Sequence, residues 1–594
     1  MHDKIFSSIL SFILIFVIIT SSLYLQVIEG AKLKLDSTTR FKTAFINADR
    51  GLIFDRNGTL LVQNRSTFSL YMHPGYIPDR KYLDKLMDDA GFADKELAFQ
   101  TYTTKKFYDS ILLKRNYDNS TFITKYLADE TQYKGIEVVR ESQRVYLDKD
   151  LTAHLIGYTG DTNDSDKTLG YRENTQIGRA GVEQSYDTLL RGVDGKISID
   201  NKTQSSSVES QPINGKNLYL SIDINIQKEL VTVLSDGISK YGANGGVGLL
   251  QNLDTGEILA YVSLPSYDPN MFVGGISESD YRKLNTDPHT PELDRISQTN
   301  FPPGSIFKIA TASSLLESGS EDTNVTFTTG GIFKYGGTTF RDFSSIDQGT
   351  LNIVGGLCRS SNIFFMKSSL LMDDKLSGGA IGQIDKYAGI LGLGKKTGID
   401  VPEGYPGDIS SPELKKELYG QDWLTGDLLN AAIGQGLTLV SPIQILGMVG
   451  TLANNGNAIK PRVVHSIGDS ESVNQTSLTQ KVYKDKVNFK QSTWDTIKQG
   501  LFCGTHMGII QDLNSPYVSV SAKSGTAEFG APDPKTGAYP DRHGWVGGFF
   551  PSDKPKYAFT LLLEKGGTSN NTVKLARTFI DWLYKDYKID TQNE

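Results

Sequence analysis

The sequence predicts an α+β protein: one N-terminal membrane helix, then a mixed domain, then a larger domain of sheet and helices. Three observations predict it. An apolar run free of charge opens the chain, and a polar, serine-rich stretch at residues 200–217 divides the rest. Beyond that stretch, strand patterns stand at both ends of the remaining chain around a helical middle.

The opening run, "IFSSILSFILIFVIITSSLYLQV", covers Ile5 to Val27 and reaches the ~20 residues that a helix needs to cross a bilayer. A cleaved signal peptide is the alternative, but its apolar part is normally only about 7–15 residues and ends in a small-x-small site. No convincing site of that kind follows, so an uncleaved anchor is expected. Lys4 lies on one side and Lys32 and Lys34 on the other, so flanking charge says little about orientation.

The 594 residues suffice for several domains. A net charge of -7 argues against a nucleic-acid binder, which would present a basic face. The 7 histidines are scattered singly, and Cys358 and Cys503 are the only cysteines. Neither a zinc site nor a disulfide framework is suggested, and Cys358 reads as a buried small hydrophobe, its reactivity left open.

Residues 36–205 mix short alternating runs with turn signals and form the expected mixed domain, which the resemblance given below implies is elongated. The stretch 200–217 reads as a linker or an exposed hairpin. In residues 215–590, "LYLSID" alternates like a strand and "INIQKELVTVLSDGISKYG" has helical spacing. Two apolar runs flank Asp254-Thr255-Gly256 as a hairpin. Helical segments dominate from about 300 to 460. Strand patterns return at "PYVSVSAK", "GWVGGFF" and "KYAFTLLLE", and a last helix covers "TVKLARTFIDWLYKDY". The simplest arrangement is a sheet built from both ends of this domain with the middle helices packed on it.

One stretch carries chemistry. In "FPPGSIFKIATASSLLESG", Ser305 and Lys308 stand three apart at the start of an apolar helical pattern. Residues so spaced share a helix face, which brings Lys308 Nζ toward Ser305 Oγ. Serine needs a base to become a nucleophile, and lysine is one only when neutral, which burial and a helix N-terminus both favour. An exposed, ordinary Ser and Lys is the bland alternative for so short a pattern, yet this is its single occurrence and its helix is apolar. Ser360-x-Asn362, before the apolar "IFFM", offers a hydroxyl and an amide. Ser472-Val473-Asn474 and Ser569-Asn570-Asn571 share the spacing but read as polar loop. Lys523-Ser524-Gly525 follows the alternating "YVSVSA", whose strand edge could pair with an extended peptide, and Gly525 would let that peptide come close. Lys396-Thr397-Gly398 reads as a turn after a helix and Lys535-Thr536-Gly537 as a loop.

Ser305-x-x-Lys308, Ser360-x-Asn362 and Lys523-Ser524-Gly525-Thr526, in that order, resemble the three motifs of penicillin-binding proteins and serine β-lactamases. "RGLIFDRNG" from Arg50 and "GRAGVEQSYDTLLRGVDG" resemble the ends of the N-terminal pedestal of class B penicillin-binding proteins. "DTGEILAYVSLPSYDPNMF", "NAAIGQGLTLVSPIQ" and "HGWVGGFFP" resemble their catalytic domain. Ser524 stands where many members have Thr, and Ser441 where Thr is common before Pro442; both keep the hydroxyl.

The resemblance implies a cytoplasmic stub and anchor at 1–30, a dimerisation-type pedestal at 36–205 and a penicillin-binding transpeptidase domain at 215–590, an antiparallel sheet with a helical subdomain. It implies a single-pass cell-membrane protein with its catalytic domain extracytoplasmic. Ser305 would attack the penultimate D-alanyl carbonyl of a stem peptide with Lys308 as base. Ser360 and Lys523 would relay the proton, and Asn362, Ser524, Gly525 and Thr526 would hold the substrate. The Ser305 and Thr526 N–H groups would form the oxyanion hole. The product is a peptidoglycan cross-link, with β-lactams as acylating inhibitors and no metal or organic cofactor. The implied partners are stem peptides, the cytoplasmic membrane and a membrane glycosyltransferase of the elongation or division complex, but no nucleic acid. A membrane-anchored β-lactam sensor or a non-catalytic scaffold is the alternative, a β-lactamase a more distant one.

Overall fold

The computed structural model describes residues 20, 41–104, 110–173, 175–200, 205–343, 345–469, 475–477, 486–530 and 539–590. Apart from Thr20, the predicted membrane helix lies outside them, as do Ser472-Val473-Asn474 and Lys535-Thr536-Gly537. Among the described residues no helix is long and apolar enough to cross a membrane.

The chain divides into two compact units. Met1–Gly51 and Arg191–Lys216 form one, Leu52–Leu190 and Asn217–Glu594 the other. In the first, Phe41–Ile46 pairs antiparallel with Gly195–Asp200, which pairs antiparallel with Ser206–Ser210. Every residue of Ser206–Ser210 is exposed, so the polar stretch after residue 200 contributes an outer strand rather than a bare linker.

The second unit begins with an all-local core. Leu60–Met72 runs antiparallel to Ile136–Tyr146, and Leu70, Met72, Leu83, Leu86, Phe122 and Ile136 pack beside the pair. Its helix Arg80–Ala90 starts where Asp79 accepts from the Tyr82 N–H and stops at Gly91 with φ of 64°, a left-handed position that glycine takes without steric cost. The strand predicted at "LYLSID" is Asn217–Leu220. It lies parallel to Ile53–Phe54 and antiparallel to Val464–Gly468, so it stitches the segment after Arg50 to the larger domain. Asp55, fully buried, accepts from the backbone of Asn57, Thr59 and Ile224. With Asp223 it places two carboxylates at the start of helix α1 (Ile224–Tyr241), where unpaired N–H groups favour negative charge.

The largest fully antiparallel sheet comes from both ends of its domain. Strands β1 (Gly245–Asn252) and β2 (Ile258–Leu264) form the hairpin around Asp254-Thr255-Gly256; β3 (Ser521–Phe529), β4 (Asp541–Phe550) and β5 (Tyr557–Glu564) come from the far end. All neighbours are antiparallel, in the order β2-β1-β5-β4-β3. The strands read as continuous apolar runs because both faces are covered. One face packs Leu250 and Leu561 with Leu230 and Leu234 of α1 and Phe579 and Ile580 of the C-terminal helix. The other packs Val247 and Leu562 with Ile306 and Phe307 and with Ile445 and Leu446 of helix α5 (Pro442–Ala453). Each such side chain contributes ~1.5–3 kcal/mol of transfer free energy. β3 is an edge strand.

Two expectations are corrected. Lys523-Ser524-Gly525-Thr526 lies inside β3 rather than after it, since pairing begins only at Ser521. Cys358 is not a free buried hydrophobe: it forms a disulfide with Cys503, the Cα atoms 5.1 Å apart across 145 positions.

Candidate active site

Pro302, Pro303 and Gly304 deliver the chain into a 3-10 turn, Gly304–Phe307, which leads into helix α2 (Lys308–Glu317). The sequence predicts an α-helical start; the tighter turn serves better, because three residues per turn superpose positions i and i+3. Gly304 has φ of 55°, and a Cβ there would lie 2.6 Å from the Thr526 carbonyl oxygen. Trp545 Nε1 donates to the Pro302 carbonyl at 3.0 Å. Gly525 has a different reason from the one the sequence suggests. A Cβ on it would lie 2.6 Å from the Pro303 carbonyl oxygen and 3.0 Å from the Ile306 nitrogen, so the close approach is that of the Ser305 turn itself. Ser305 stays half-exposed while Ile306, Phe307 and Lys308 are buried.

Lys308 Nζ donates to the Ser360 carbonyl at 2.8 Å and to Asn362 Oδ1 at 2.7 Å. Toward Ser305, where the spacing predicts Lys308 Nζ to point, it makes no hydrogen bond among the described residues. Full burial pushes the Lys308 amine down to about 7, against the pull of the Asp342 carboxylate, which favours the charged form. With two N–H groups engaged, one position on the nitrogen is left, a third N–H when charged and a lone pair when neutral.

Ser360 ends the turn after helix α3 (Ile353–Cys358) and has φ of 54°, a conformation that costs ~1–3 kcal/mol and persists where surroundings over-determine it. Lys523 Nζ donates to Ser360 Oγ at 2.7 Å and to the Ser524 carbonyl at 2.9 Å. Burial, and then the nearby Lys308 charge, hold the Lys523 amine well below its ordinary range. Two lysines thus meet on one serine, Lys308 at its carbonyl and Lys523 at its hydroxyl. The cluster can deprotonate a hydroxyl and return a proton to a leaving group.

Helix α4 (Asn362–Lys375) opens with Ser361, whose Oγ accepts from the Phe364 N–H at 3.1 Å. Ser361 Oγ also donates to the Asp342 carboxylate at 3.1 and 3.0 Å, and the Ile363 N–H donates to Asp342 at 3.1 Å. Asn362 Nδ2 donates to the Arg341 carbonyl at 3.0 Å, which leaves its oxygen for Lys308. Asp342, buried at the end of Thr338–Arg341, is therefore part of the site, and sequence reasoning missed it.

Ser569 was missed too. Rather than a loop residue, it is the first residue of the C-terminal helix α7 (Ser569–Lys585). Thr526 Oγ1 donates to Ser569 Oγ and accepts from the Ser569 N–H, both at 3.1 Å. The only available signal was the hydroxyl-rich "GGTSNNT" before a helical run, a helix-start pattern. Ser524 is buried in β3. Gln435 pairs with the outer edge of that strand, its carboxamide accepting from the Glu528 N–H at 3.2 Å and donating to the Glu528 carbonyl at 3.1 Å. Lys396-Thr397-Gly398 lies elsewhere as a plain turn, Thr397 bonded to Glu403.

Known proteins share these two domains. The family model for the penicillin binding protein transpeptidase domain matches residues 246–582, and that for the penicillin-binding protein dimerisation domain matches residues 45–220. The chain is 29% identical over 598 residues to the peptidoglycan D,D-transpeptidase MrdA of Haemophilus influenzae, covering 95% of this chain and 89% of that protein. It superposes on a chain of the complex between penicillin-binding protein PBP2 and MreC from Helicobacter pylori with a TM-score of 0.78 at 26% identity, covering 92% of this chain and 100% of the other. A chain from a structure of a peptidoglycan synthase complex, solved to address how polymerization and crosslinking are coordinated, gives a TM-score of 0.69 at 26% identity and 97% coverage of both. A transpeptidase domain preceded by a dimerisation domain, with one motif serine framed by two buried lysines, makes this chain a member of the penicillin-binding protein transpeptidase family, in its class B.

Proposed function

We propose that the protein is a peptidoglycan D,D-transpeptidase that works through an acyl-enzyme on Ser305. Neutral Lys308 takes the Ser305 proton on its remaining lone pair as Oγ attacks the penultimate D-alanyl carbonyl of a stem peptide. The oxyanion is held by the Ser305 and Thr526 N–H groups; losing one such donor typically costs ~2.7–4 kcal/mol. Ser360, held by Lys523, passes the proton to the nitrogen of departing D-alanine. Asn362, Ser524 and Thr526 bind the peptide, which adds to the free edge of β3. The amine of a second stem then attacks the ester, closing the cross-link and restoring Ser305. β-Lactams enter the first half of this cycle and stop there. The reaction needs no metal or organic cofactor.

The observation that carries the reading is the pair of buried lysines on Ser360, Nζ of one on its carbonyl and of the other on its hydroxyl. Burial makes both amines far easier to hold neutral than an exposed lysine, which suits proton transfer. We further propose that residues 1–30 anchor the chain in the cytoplasmic membrane with residues 36–205 as pedestal and 215–590 as extracytoplasmic catalytic domain. A membrane glycosyltransferase then supplies the glycan, in line with the relative found in a peptidoglycan synthase complex.

The test is intact-protein mass after incubation of a version starting at Ala31 with benzylpenicillin, beside Ser305→Ala. One stable penicillin adduct on the wild type alone is expected. Antibiotic consumption without an adduct would instead indicate a hydrolase.

A further inference from the structure

We propose that the Cys358–Cys503 disulfide positions Ser360 against Lys523, so that acylation of Ser305 depends on its oxidation state. The inference rests on the reading of Ser305 as the acylated residue. Cys358 closes α3 two residues before Ser360, and Cys503 lies in the last turn of helix α6 (Gln491–His506). The two helices meet closely at Gly500, where a Cβ would lie 2.6 Å from Leu357 Cβ.

The end of α6 touches both parts of the site. On one side the Ile509 N–H donates to the Cys358 carbonyl at 3.4 Å. On the other, Thr505 Oγ1 donates to the Val520 carbonyl at 2.6 Å, just ahead of Lys523 in the chain. Between them stands Gly504: the position of its absent Cβ is 3.7 Å from both the Ala522 and the Cys358 carbonyl oxygens. α6 is therefore the spacer between the turn that carries Ser360 and the strand that carries Lys523, and the disulfide fixes the turn to that spacer.

Apart from the hydrogen bonds of Lys308, Lys523 and Asp342 to Ser360, Ser361 and Ile363, the turn has little of its own to hold it. α3 spans only six residues, far below the length at which a helix is stable alone, and Ser360 sits at positive φ. Its backbone is tied by Ser360 N–H to Leu357 at 3.2 Å and Ser361 N–H to Gly356 at 3.0 Å, both within the same short segment. The disulfide adds the one covalent long-range constraint, on the α3 side of the turn, to the hydrogen bonds from Lys308, Lys523 and Asp342. Forming it removes one proton and one electron from each thiol. A disulfide-bearing oxidant accepts them by thiol–disulfide exchange and leaves as the dithiol. Cys358 is buried and Cys503 half-buried, so a reductant can approach the bridge from the Cys503 side only.

The test uses the full chain in detergent. Binding and acylation by a fluorescent penicillin are resolved into the dissociation constant and the acylation rate constant. They are measured on the oxidised protein, after dithiothreitol, and after reoxidation with oxidised glutathione, with thiols counted by mass after alkylation. The rate constant is expected to fall about 10- to 100-fold on reduction, as misplacement of a catalytic group by ~1 Å would cause. The dissociation constant should hold, and reoxidation should restore the rate. Cys503→Ser should show the reduced rate and no response to dithiothreitol. In parallel, hydrogen exchange of the segment 357–366 should rise on reduction.

Equal rate constants in the two redox states, or unchanged exchange, overturn the proposal. So does a reduced protein that loses binding and secondary structure together, since the bridge would then act on stability alone. If Cys503→Ser does not fold, the reduction cycle on the wild type decides. An adduct that persists in Ser305→Ala would overturn the acylation site instead, and the exchange measurement would still judge the bridge.

Discussion

Lys523 Nζ donates to Ser360 Oγ at 2.7 Å although 163 positions separate the two residues. The contact uses a lone pair of the serine and leaves its proton free to be passed on, so the hydroxyl can relay. Replacing Lys523 with Met is expected to slow acylation by ~100-fold or more, the usual worth of a positioned proton donor. The melting temperature should not fall, because an apolar chain of similar length avoids the cost of a buried amine. Stopped-flow acylation with a thermal melt measures both; a near-wild-type rate would remove Lys523 from the relay.

Lys308 should set the pH dependence. Its amine is pushed down to about 7 by burial, from ~10.4 in an unfolded chain. Acylation is therefore expected to rise as pH climbs through about 7. Stability should also rise between pH 7 and ~10.4, where the unfolded chain binds a proton that the folded one does not. Below pH 7 both states hold that proton and this group adds no slope. Urea midpoints of wild type and Lys308→Met across this range would reveal it, the variant having the shallower dependence.

Asp342 opposes the burial of Lys308 and fixes Ser361 and the Ile363 N–H. Asp342→Asn keeps most of the hydrogen bonding and removes the charge, so the acylation profile should shift to lower pH. Ser361→Ala removes a hydrogen bond and keeps the charge; its profile should lose height with the midpoint in place. If both variants share the wild-type midpoint, Asp342 acts on structure alone.

Gly525→Ala places a Cβ 2.6 Å from the Pro303 carbonyl oxygen. Neither β3 nor the Ser305 turn can yield without moving the other. A loss of ~1–3 kcal/mol is expected, as for overpacked cores, together with a slower acylation that binding does not explain. Denaturant midpoints and acylation kinetics would show it; unchanged values for both would mean that the turn can retreat.

The legible parts of this molecule are those whose signal is local. Ser305, Lys308, Ser360 and Lys523 announce themselves through short spacing next to an apolar helix or an alternating strand. The hairpin at Asp254-Thr255-Gly256 and helix α1 follow from turn chemistry and periodicity. Asp342 has no such pattern, because its partners Ser361 and Ile363 lie across a hairpin end and only folding brings them together. The disulfide was illegible for the same reason: two cysteines 145 positions apart carry no hint of a 5.1 Å Cα separation. Ser569 was misjudged because a polar run before a helix resembles a loop until the helix's first turn is seen. For Gly525, the sequence suggests tight space without saying which neighbour fills it.

Among the described residues no strand pairs with the outer edge of β3, which also bears on solubility. An unpaired strand offers its peptide groups to any other strand, including the same edge of a second molecule, and such edges are where folded proteins begin to aggregate. Gln435 occupies the N–H and carbonyl of Glu528 as a strand neighbour would, with one side chain in place of a backbone. It stops a foreign strand from zippering along the far end of the edge. Only the shorter stretch of the edge before Glu528 is thus left for another copy to pair with.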